Sequence, residues 1–160
     1  MPNRLLLADR VGQAVASAMR QGHLVAIAYL DLDGFKAVND TYGHEAGDQL
    51  LKEIARRVVG DVRAGDTVAR IGGDEFVLVL GGLADVSQCN PVLERILNSI
   101  AQPVRVKGGV EASVSGSIGV AVAPPDGTEP RDLMAAADRA MYNAKRAGKG
   151  RIIYVSAPQQ

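Results

Sequence analysis

Apolar positions along the chain fall into helix-spaced runs and short continuous runs. Leu5, Leu6, Ala8, Val11, Val15, Ala18 and Met19 recur at helical spacing over Leu5–Met19, and Gly22 suits the stop that follows. Leu24–Leu32 (LVAIAYLDL) is nearly continuous in apolar residues, the pattern of a central strand buried on both faces. Gly47–Val59 returns to helical spacing, with Leu50, Leu51, Ile54, Ala55, Val58 and Val59 on one stripe. Thr67–Ile71 and Phe76–Leu80 are short apolar arms around Gly72-Gly73-Asp74-Glu75, which predicts a β-hairpin. Val92–Ile100 reads as a helix, with Pro91 tolerable in its first turn. Glu111–Ala123 is β-rich, after a short hairpin at Lys107-Gly108-Gly109. Arg131–Ala147 is an amphipathic helix carrying Leu133, Met134, Ala137, Ala140, Met141 and Ala144 and closed by Gly148; Ile152–Val155 is a last strand. Strands and helices alternate, but a hairpin sits in the middle. That predicts an α/β (α+β) fold, a mixed sheet with helices packed on it, over a doubly wound parallel sheet.

Composition narrows the class. At 160 residues the chain (1–160) reads as one domain with a sizeable core. Eighteen basic residues balance eighteen acidic ones, so the formal net charge is zero and a general nucleic-acid binder loses weight. The longest stretch free of Asp, Glu, Lys and Arg is Ala112–Pro125, 14 residues, shorter than the ~20 a membrane helix needs. No membrane contact is expected of it. Cys89 stands alone, which excludes an internal disulfide framework and a cysteine-rich zinc site. With no signal-peptide pattern, the expected location is cytoplasmic.

Three segments carry candidate chemistry. The first, Asp31-Leu-Asp33-Gly-Phe-Lys-Ala-Val-Asn39-Asp40, stands at the end of the buried strand, where acidic residues should emerge at the sheet edge. A calcium-loop template fails there, because its fifth position would be Phe35 and its twelfth Tyr42. The local alternative is strand-end carboxylates with Asn39 and Asp40 as turn formers. In the second, Gly72-Gly73-Asp74-Glu75, the glycines supply the tolerance of positive φ that a hairpin turn needs. Two adjacent, mutually repelling acids are not needed by a turn. A cation would relieve them, and Asp31 with Glu75 could hold Mg²⁺. The local alternative is an exposed acidic turn. The third, Lys145-Arg146-Ala-Gly-Lys149-Gly-Arg151, is accounted for locally by cations at a helix C-terminus. Gly148-Lys149 lacks the upstream Gly and following Ser/Thr of a Walker A loop, and no dinucleotide fingerprint is present. His23 and His44 have no second histidine at metal-ligand spacing, and Cys89 reads as a helix-packing residue.

Together these blocks closely resemble the GGDEF domain family, the diguanylate cyclases. The signature is present as Gly72-Gly73-Asp74-Glu75-Phe76. Asp31-x-Asp33-x-Phe35-Lys36-x-x-Asn39-Asp40, Tyr42-Gly43-His44 and Gly47-Asp48 are similar to the family's first block. Ser117-Ile118-Gly119-Val120 and Ala137-Asp138-x-Ala140-Met141-Tyr142-x-Ala144-Lys145 are similar to its later ones. The resemblance runs from Pro2 to about Tyr154. It implies a nucleotidyl-cyclase or polymerase palm: a central, mainly antiparallel sheet flanked by helices, with a GGDEF β-hairpin. It implies condensation of two GTP into cyclic di-GMP plus pyrophosphate across a homodimer, each 3′-hydroxyl attacking the other GTP's α-phosphorus.

By the same resemblance, Asp31 and Glu75 match the metal-binding carboxylates, with the Leu32 carbonyl assisting, for two Mg²⁺ (or Mn²⁺) per site. Asp74 matches a position that either helps deprotonate the 3′-hydroxyl or holds the second metal. Asn39 and Asp48 match the guanine readers. Backbone amides near Gly34, Phe35 and Lys36, together with Gly72 and Gly73, would meet GTP. Lys145 and Lys149 match the residues that neutralise the triphosphate. Arg63-Ala-Gly-Asp66 resembles the inhibitory Arg-x-x-Asp site for product, with Thr67–Ile71 as the five residues before Gly72.

Two departures bear on the reading. Of the family's usual opening only Pro2-Asn3-Arg4 remains, which suggests a domain cut from a larger protein with an upstream sensor. Lys149 stands where the family more often has Arg, so a point charge replaces a bidentate fork. The opening also resembles modules followed by an EAL phosphodiesterase domain. A GTP-binding module with little turnover, regulating such a neighbour, is therefore the alternative function. An adenylyl-cyclase-like or polymerase-like enzyme on a similar palm is a third.

Overall fold

A computed structural model describes residues 4–156. Pro2 and Asn3 of the resemblance lie outside them. Helix α1 (Arg4–Gln21) leads into strand β1 (Leu24–Asp33), then helices α2 (Phe35–Tyr42) and α3 (His44–Asp61). Strands β2 (Thr67–Arg70) and β3 (Glu75–Leu83) form the expected hairpin. Helix α4 (Cys89–Ala101) is followed by the small β4–β5 hairpin (Val104–Arg105, Glu111–Ala112) around Lys107–Gly109. Strand β6 (Ser115–Ala123), helix α5 (Pro130–Arg146) and strand β7 (Ile152–Tyr154) complete the order. The main sheet runs β2-β3-β1-β6-β7. Its pairings are antiparallel except β6 with β7.

Strand β1 lies at the centre, and Val25–Leu30 are buried on both faces, as its apolar run predicts. Side chains alternate across a strand, so its even positions face one layer and its odd positions the other. Ala26, Ala28, Leu30 and Leu32 join Phe76, Leu78, Ile118 and Val120 beneath α3 and α4. Val25, Ile27 and Tyr29 join Val77, Val79 and Ala121 beneath α1 and α5. The odd series of β1 continues into Asp31 and Asp33. Both carboxylates therefore belong to the face that α5 covers, at the end of the strand. Among the described residues, no helix is long and apolar enough to cross a membrane.

Several elements differ from the sequence expectation. Phe35–Tyr42 is a helix, so Asn39 and Asp40 are not turn formers. The breaks on either side are made by Gly34 (φ 87°) and Gly43 (φ 93°), backbone that side chains resist. Helix α3 starts at His44, earlier than Gly47, and Val59 is 53% exposed instead of lying on the buried stripe. Leu5 and Met19 of α1 are likewise exposed. Gly72 and Gly73 are not in the left-handed region, so positive φ is not what requires them. Cys89 is buried in the helix-packing role expected of it, and burial pushes its thiol up to about 11.

Close approach of α5 to β6 depends on one glycine. A Cβ at Gly119 would lie 2.1 Å from the Met141 amide nitrogen and 2.2 Å from the Ala137 carbonyl oxygen. The facing side of α5 is small, with Ala137, Ala140 and Ala144 buried. Gly119→Ala should cost about 3 kcal/mol of stability, because the clash is with backbone that cannot rotate away. Gly12→Ala in α1, whose Cβ would meet Pro130 at 3.5 Å, should stabilise by roughly 0.5–1 kcal/mol. Urea unfolding midpoints of the two variants check both signs.

Candidate functional site

The register of the sheet brings the first two acids together. Asp31 and Glu75 are direct cross-strand partners at the end of the β1–β3 ladder, and both are half-buried. The Gly72–Asp74 turn is tied back to the sheet: the Leu32 amide donates to the Asp74 carbonyl at 3.1 Å, and the Ile71 amide to the Glu75 carbonyl at 3.0 Å. Gly72 has Glu75 Oε1 3.1 Å from where a Cβ would stand, so the glycine leaves room for that carboxylate. Asp74, adjacent to this pair, is half-buried.

Asp31 is the most perturbed acid here. Burial raises its pKa most. The Lys145 hydrogen bond opposes that rise, and the charges of Asp74 and Glu75 add to it, leaving it at about 6. Its Oδ2 meets Lys145 Nζ at 3.0 Å, while its Oδ1 is buried with no partner. An orphaned buried carboxylate oxygen beside two further acids is a set of hard oxygen donors with excess negative charge.

Asp33 has the opposite environment. Burial disfavours its charge, but hydrogen bonds from Ser115, Ser117, Lys145 and the Gly150 amide outweigh that and hold its pKa below the usual range. Lys145 thus bridges both aspartates, with Nζ 3.1 Å from Asp33 Oδ1. Burial works against the lysine's charge, yet the two carboxylates keep its pKa above the ordinary value. A helix-dipole role alone does not describe Lys145. Lys149, expected beside it, is exposed at φ 65°, and no ion pair among the described residues includes it. Sequence reasoning did not single out Asp33, Ser115 or Ser117 as partners. Their shared face on neighbouring strands, two residues apart, was the available signal.

Helices α2 and α3 carry the other candidates. A Cβ at Gly47 would fall 1.7 Å from Asn39 Oδ1, so only glycine lets the Asn39 side chain lie against α3. Asp48, the next residue, is exposed and lines a cavity of about 370 Å³ with Leu51, Lys52, Ala55 and Arg70. Arg70 in turn donates to the Gly73 carbonyl at 3.3 Å, linking that cavity to the turn. Gly34 precedes α2 with no side-chain cap, which leaves amides of the first turn without an intrahelical partner. Phe35 is buried in the core, and Lys36 is exposed.

Arg63 and Asp66 lie elsewhere. Asp66 accepts from the Arg63 amide at 3.0 Å and the Gly81 amide at 3.3 Å, and Arg63 Nη2 donates to the Gly81 carbonyl at 2.6 Å. The turn is thereby fastened to β3. Its Arg63 is 65% exposed and its Asp66 6%. Both border a cavity of about 440 Å³ with Ala14, Ser17, His23 and Gly82. Gly81 is six residues along β3 from Glu75, roughly 20 Å away. The two candidate sites therefore stand at opposite ends of the strand. Among the described residues, no group of three His, Cys, Asp or Glu is arranged to hold a metal by itself.

Comparisons with known proteins agree with this fold. The family profile "Diguanylate cyclase, GGDEF domain" matches residues 1–151. The chain is 46% identical over 149 residues to the bifunctional diguanylate cyclase/cyclic di-GMP phosphodiesterase MucR of Pseudomonas aeruginosa, covering 93% of this chain and 22% of MucR. It thus spans about a fifth of that relative. The GGDEF domain of TpbB from Pseudomonas aeruginosa superposes with a TM-score of 0.94 at 37% identity, covering 98% of this chain and 91% of that one. The GGDEF domain of DgcB from Caulobacter crescentus, in complex with c-di-GMP, gives a TM-score of 0.87 at 28% identity, covering 97% and 91%. A central antiparallel sheet, a signature hairpin set against the end of β1 and a match along nearly the whole chain lead to one conclusion: this chain belongs to the GGDEF family of diguanylate cyclase domains.

Proposed function

We propose that this chain is the catalytic domain of a diguanylate cyclase, within a larger signalling protein, and that it condenses two GTP into cyclic di-GMP and pyrophosphate as a homodimer. The observation that carries the reading is the Asp31–Glu75 cross-strand pair with its buried, unpartnered Asp31 Oδ1. Three neighbouring acids and one lysine leave the site short of positive charge. The donors are all oxygens, which suits Mg²⁺ or Mn²⁺, and ions of this kind take one or two carboxylates and complete their shell with substrate phosphates. Asp31, Glu75 and the Leu32 carbonyl would hold them, with Asp74 either joining as a ligand or accepting the 3′-hydroxyl proton. Bound there, two divalent ions supply charge stabilisation to the attacking and leaving oxygens.

The remaining roles belong to the chain's own groups. Asp48 and Asn39 read guanine, the carboxylate accepting from N1–H and the 2-amino group and the amide serving ring acceptors. The uncapped start of α2, at Gly34, Phe35 and Lys36, offers amides to phosphate. Gly72 and Gly73 keep the turn bare enough for GTP to approach. Lys145, and Lys149 from the exposed loop, neutralise the triphosphate. Each protomer contributes one GTP, so turnover requires two sites to face each other.

Arg63 and Asp66 are the proposed product site. A guanidinium offers a planar fork to phosphate or guanine acceptors, and Asp66 accepts guanine N–H donors. At roughly 20 Å from Glu75, bound product acts by holding domains in an arrangement that keeps the two GTP-loaded sites apart, without competing for the metal centre. The alternative, a GTP-binding module that regulates an EAL neighbour, draws its support from the Leu5–Arg10 opening and from the 46% identity to a bifunctional diguanylate cyclase/phosphodiesterase.

Glu75→Gln keeps size and removes charge, and should abolish conversion of GTP to cyclic di-GMP with Mg²⁺ present while leaving the thermal midpoint within a few degrees. Near-normal product formation by this variant would refute the metal assignment. A silent parent protein that still binds GTP would favour the alternative.

A carboxyl raised from 3.8 to about 6 makes ionisation cost the folded state about 3 kcal/mol at pH 7.5. That cost is absent well below pH 3.8, where folded and unfolded chains both keep the proton, accumulates as pH rises from there through 6, and is complete above it. In metal-free protein, Asp31→Asn should therefore raise the thermal midpoint by roughly 6–12 °C at pH 7.5. The difference should vanish near pH 3, as scanning calorimetry at both values would read.

Arg63→Ala should weaken cyclic di-GMP binding at least tenfold, about 1.4 kcal/mol, and leave GTP binding unchanged. Calorimetry with both ligands decides this. Equal product affinity in variant and parent would reduce Arg63–Asp66 to a surface turn.

A further inference from the structure

Asp31 and Asp33 are the same residue type, two positions apart on one face of β1, yet their oxygens are spent differently. Asp31 keeps one buried oxygen without a partner. Asp33, only 6% exposed, has none to spare. Its Oδ1 accepts from Ser117 Oγ at 2.8 Å and Lys145 Nζ at 3.1 Å. Its Oδ2 accepts from Ser115 Oγ at 2.8 Å, Ser117 Oγ at 3.0 Å and the Gly150 amide at 3.2 Å. A carboxylate has about four lone-pair directions, and four donor groups already fill them. Asp33 is therefore saturated, and a metal could reach it only by displacing protein donors.

Those donors come from β6, α5 and the loop after α5, so one buried carboxylate fastens three parts of the fold to the end of β1. The loop needs fastening: Gly148, Lys149 and Gly150 all have positive φ. Lys145 has two anchors, Asp31 and Asp33. Lys145 sits on Asp31 Oδ2, so a cation that takes both oxygens of Asp31 would remove one of them. With Asp33 as the second, the ammonium stays at the site edge with donor capacity released for phosphate. Without it, the lysine would follow Asp31 or swing into solvent.

We propose that Asp33 is a positioning residue that acts through Lys145, holding the ammonium where the GTP phosphates bind while Asp31 serves as ligand. The proposal rests on the phosphate role given to Lys145 above and goes beyond it in assigning Asp33, Ser115 and Ser117 to its support.

The test compares a ligand with phosphates and one without. The probes are α,β-methylene GTP, which cannot react, titrated by calorimetry, and guanosine, titrated by NMR. Asp33→Asn should weaken the analogue about tenfold and shift guanosine by less than twofold. In a Lys145→Met background, Asp33→Asn should cost less than twofold further, because the group it positions is gone. Ser115→Ala combined with Ser117→Ala keeps the charge and removes two holders. It should weaken the analogue about threefold with guanosine spared, and it carries the test should Asp33→Asn fail to fold. Equal losses for analogue and guanosine would make Asp33 merely structural. Losses that multiply in the double variant would separate it from Lys145. If Lys145→Met loses analogue affinity and Asp33→Asn does not, the positioning role alone falls. If Lys145→Met binds the analogue normally, the phosphate reading of the lysine falls and takes this inference with it.

Discussion

A strand buried on both faces cannot carry charge along its length, because an unpaired ionised group in that interior would cost several kcal/mol. Strand β1 obeys this from Val25 to Leu30 and breaks it only at its end, with Asp31 and Asp33. The rest of the site follows from how those two charges are accommodated. Lys145 neutralises part of them from α5, and Ser115, Ser117 and the Gly150 amide solvate Asp33 in place of water. Asp31 is left incompletely compensated beside Glu75. Burial, with the charges of Asp74 and Glu75 adding to it, raises its pKa, and its Oδ1 is left without a partner.

This accommodation needs α5 close to the sheet. A long side chain at Ala137, Ala140 or residue 119 would push the helix outward, and Lys145 would lose its reach to β1. Gly119 and the alanine face of α5 thus belong to the electrostatics of the site as much as to the core. Packing and charge are one problem here, since a lysine bridging two carboxylates at 3.0 and 3.1 Å tolerates little displacement of its helix.

The distance between the acidic end of the β1–β3 ladder and the Arg63–Asp66 turn has its own consequence. Strand β3 begins at Glu75 beside the acids and reaches Gly81 and Gly82 beside the turn. Any coupling between the two ends would have to run through the relative placement of protomers or neighbouring domains, or through the strand itself.

Much of this was legible in the sequence. The continuous apolar run of β1, the two arms around Gly72–Glu75 and the amphipathic pattern of α5 are local signals, and the elements stand where those signals put them, within a few residues. The spacing of the acidic, glycine and lysine blocks was sufficient to indicate the family. Helix α2 was not legible, because Asn39 and Asp40 are turn-prone residues and the helix is held by the burial of Phe35 and Val38 instead of by propensity. The partnership of Asp33 with Ser115, Ser117 and Lys145 was not legible either. Those residues are 82 to 112 positions apart, and only the β1–β6 register and the seat of α5 on Gly119 bring them together. Local sequence determined which residues were strand, helix and acid. Tertiary structure decided which of two neighbouring aspartates is saturated and which is left open, because that depends on how many donors from distant segments fit around each.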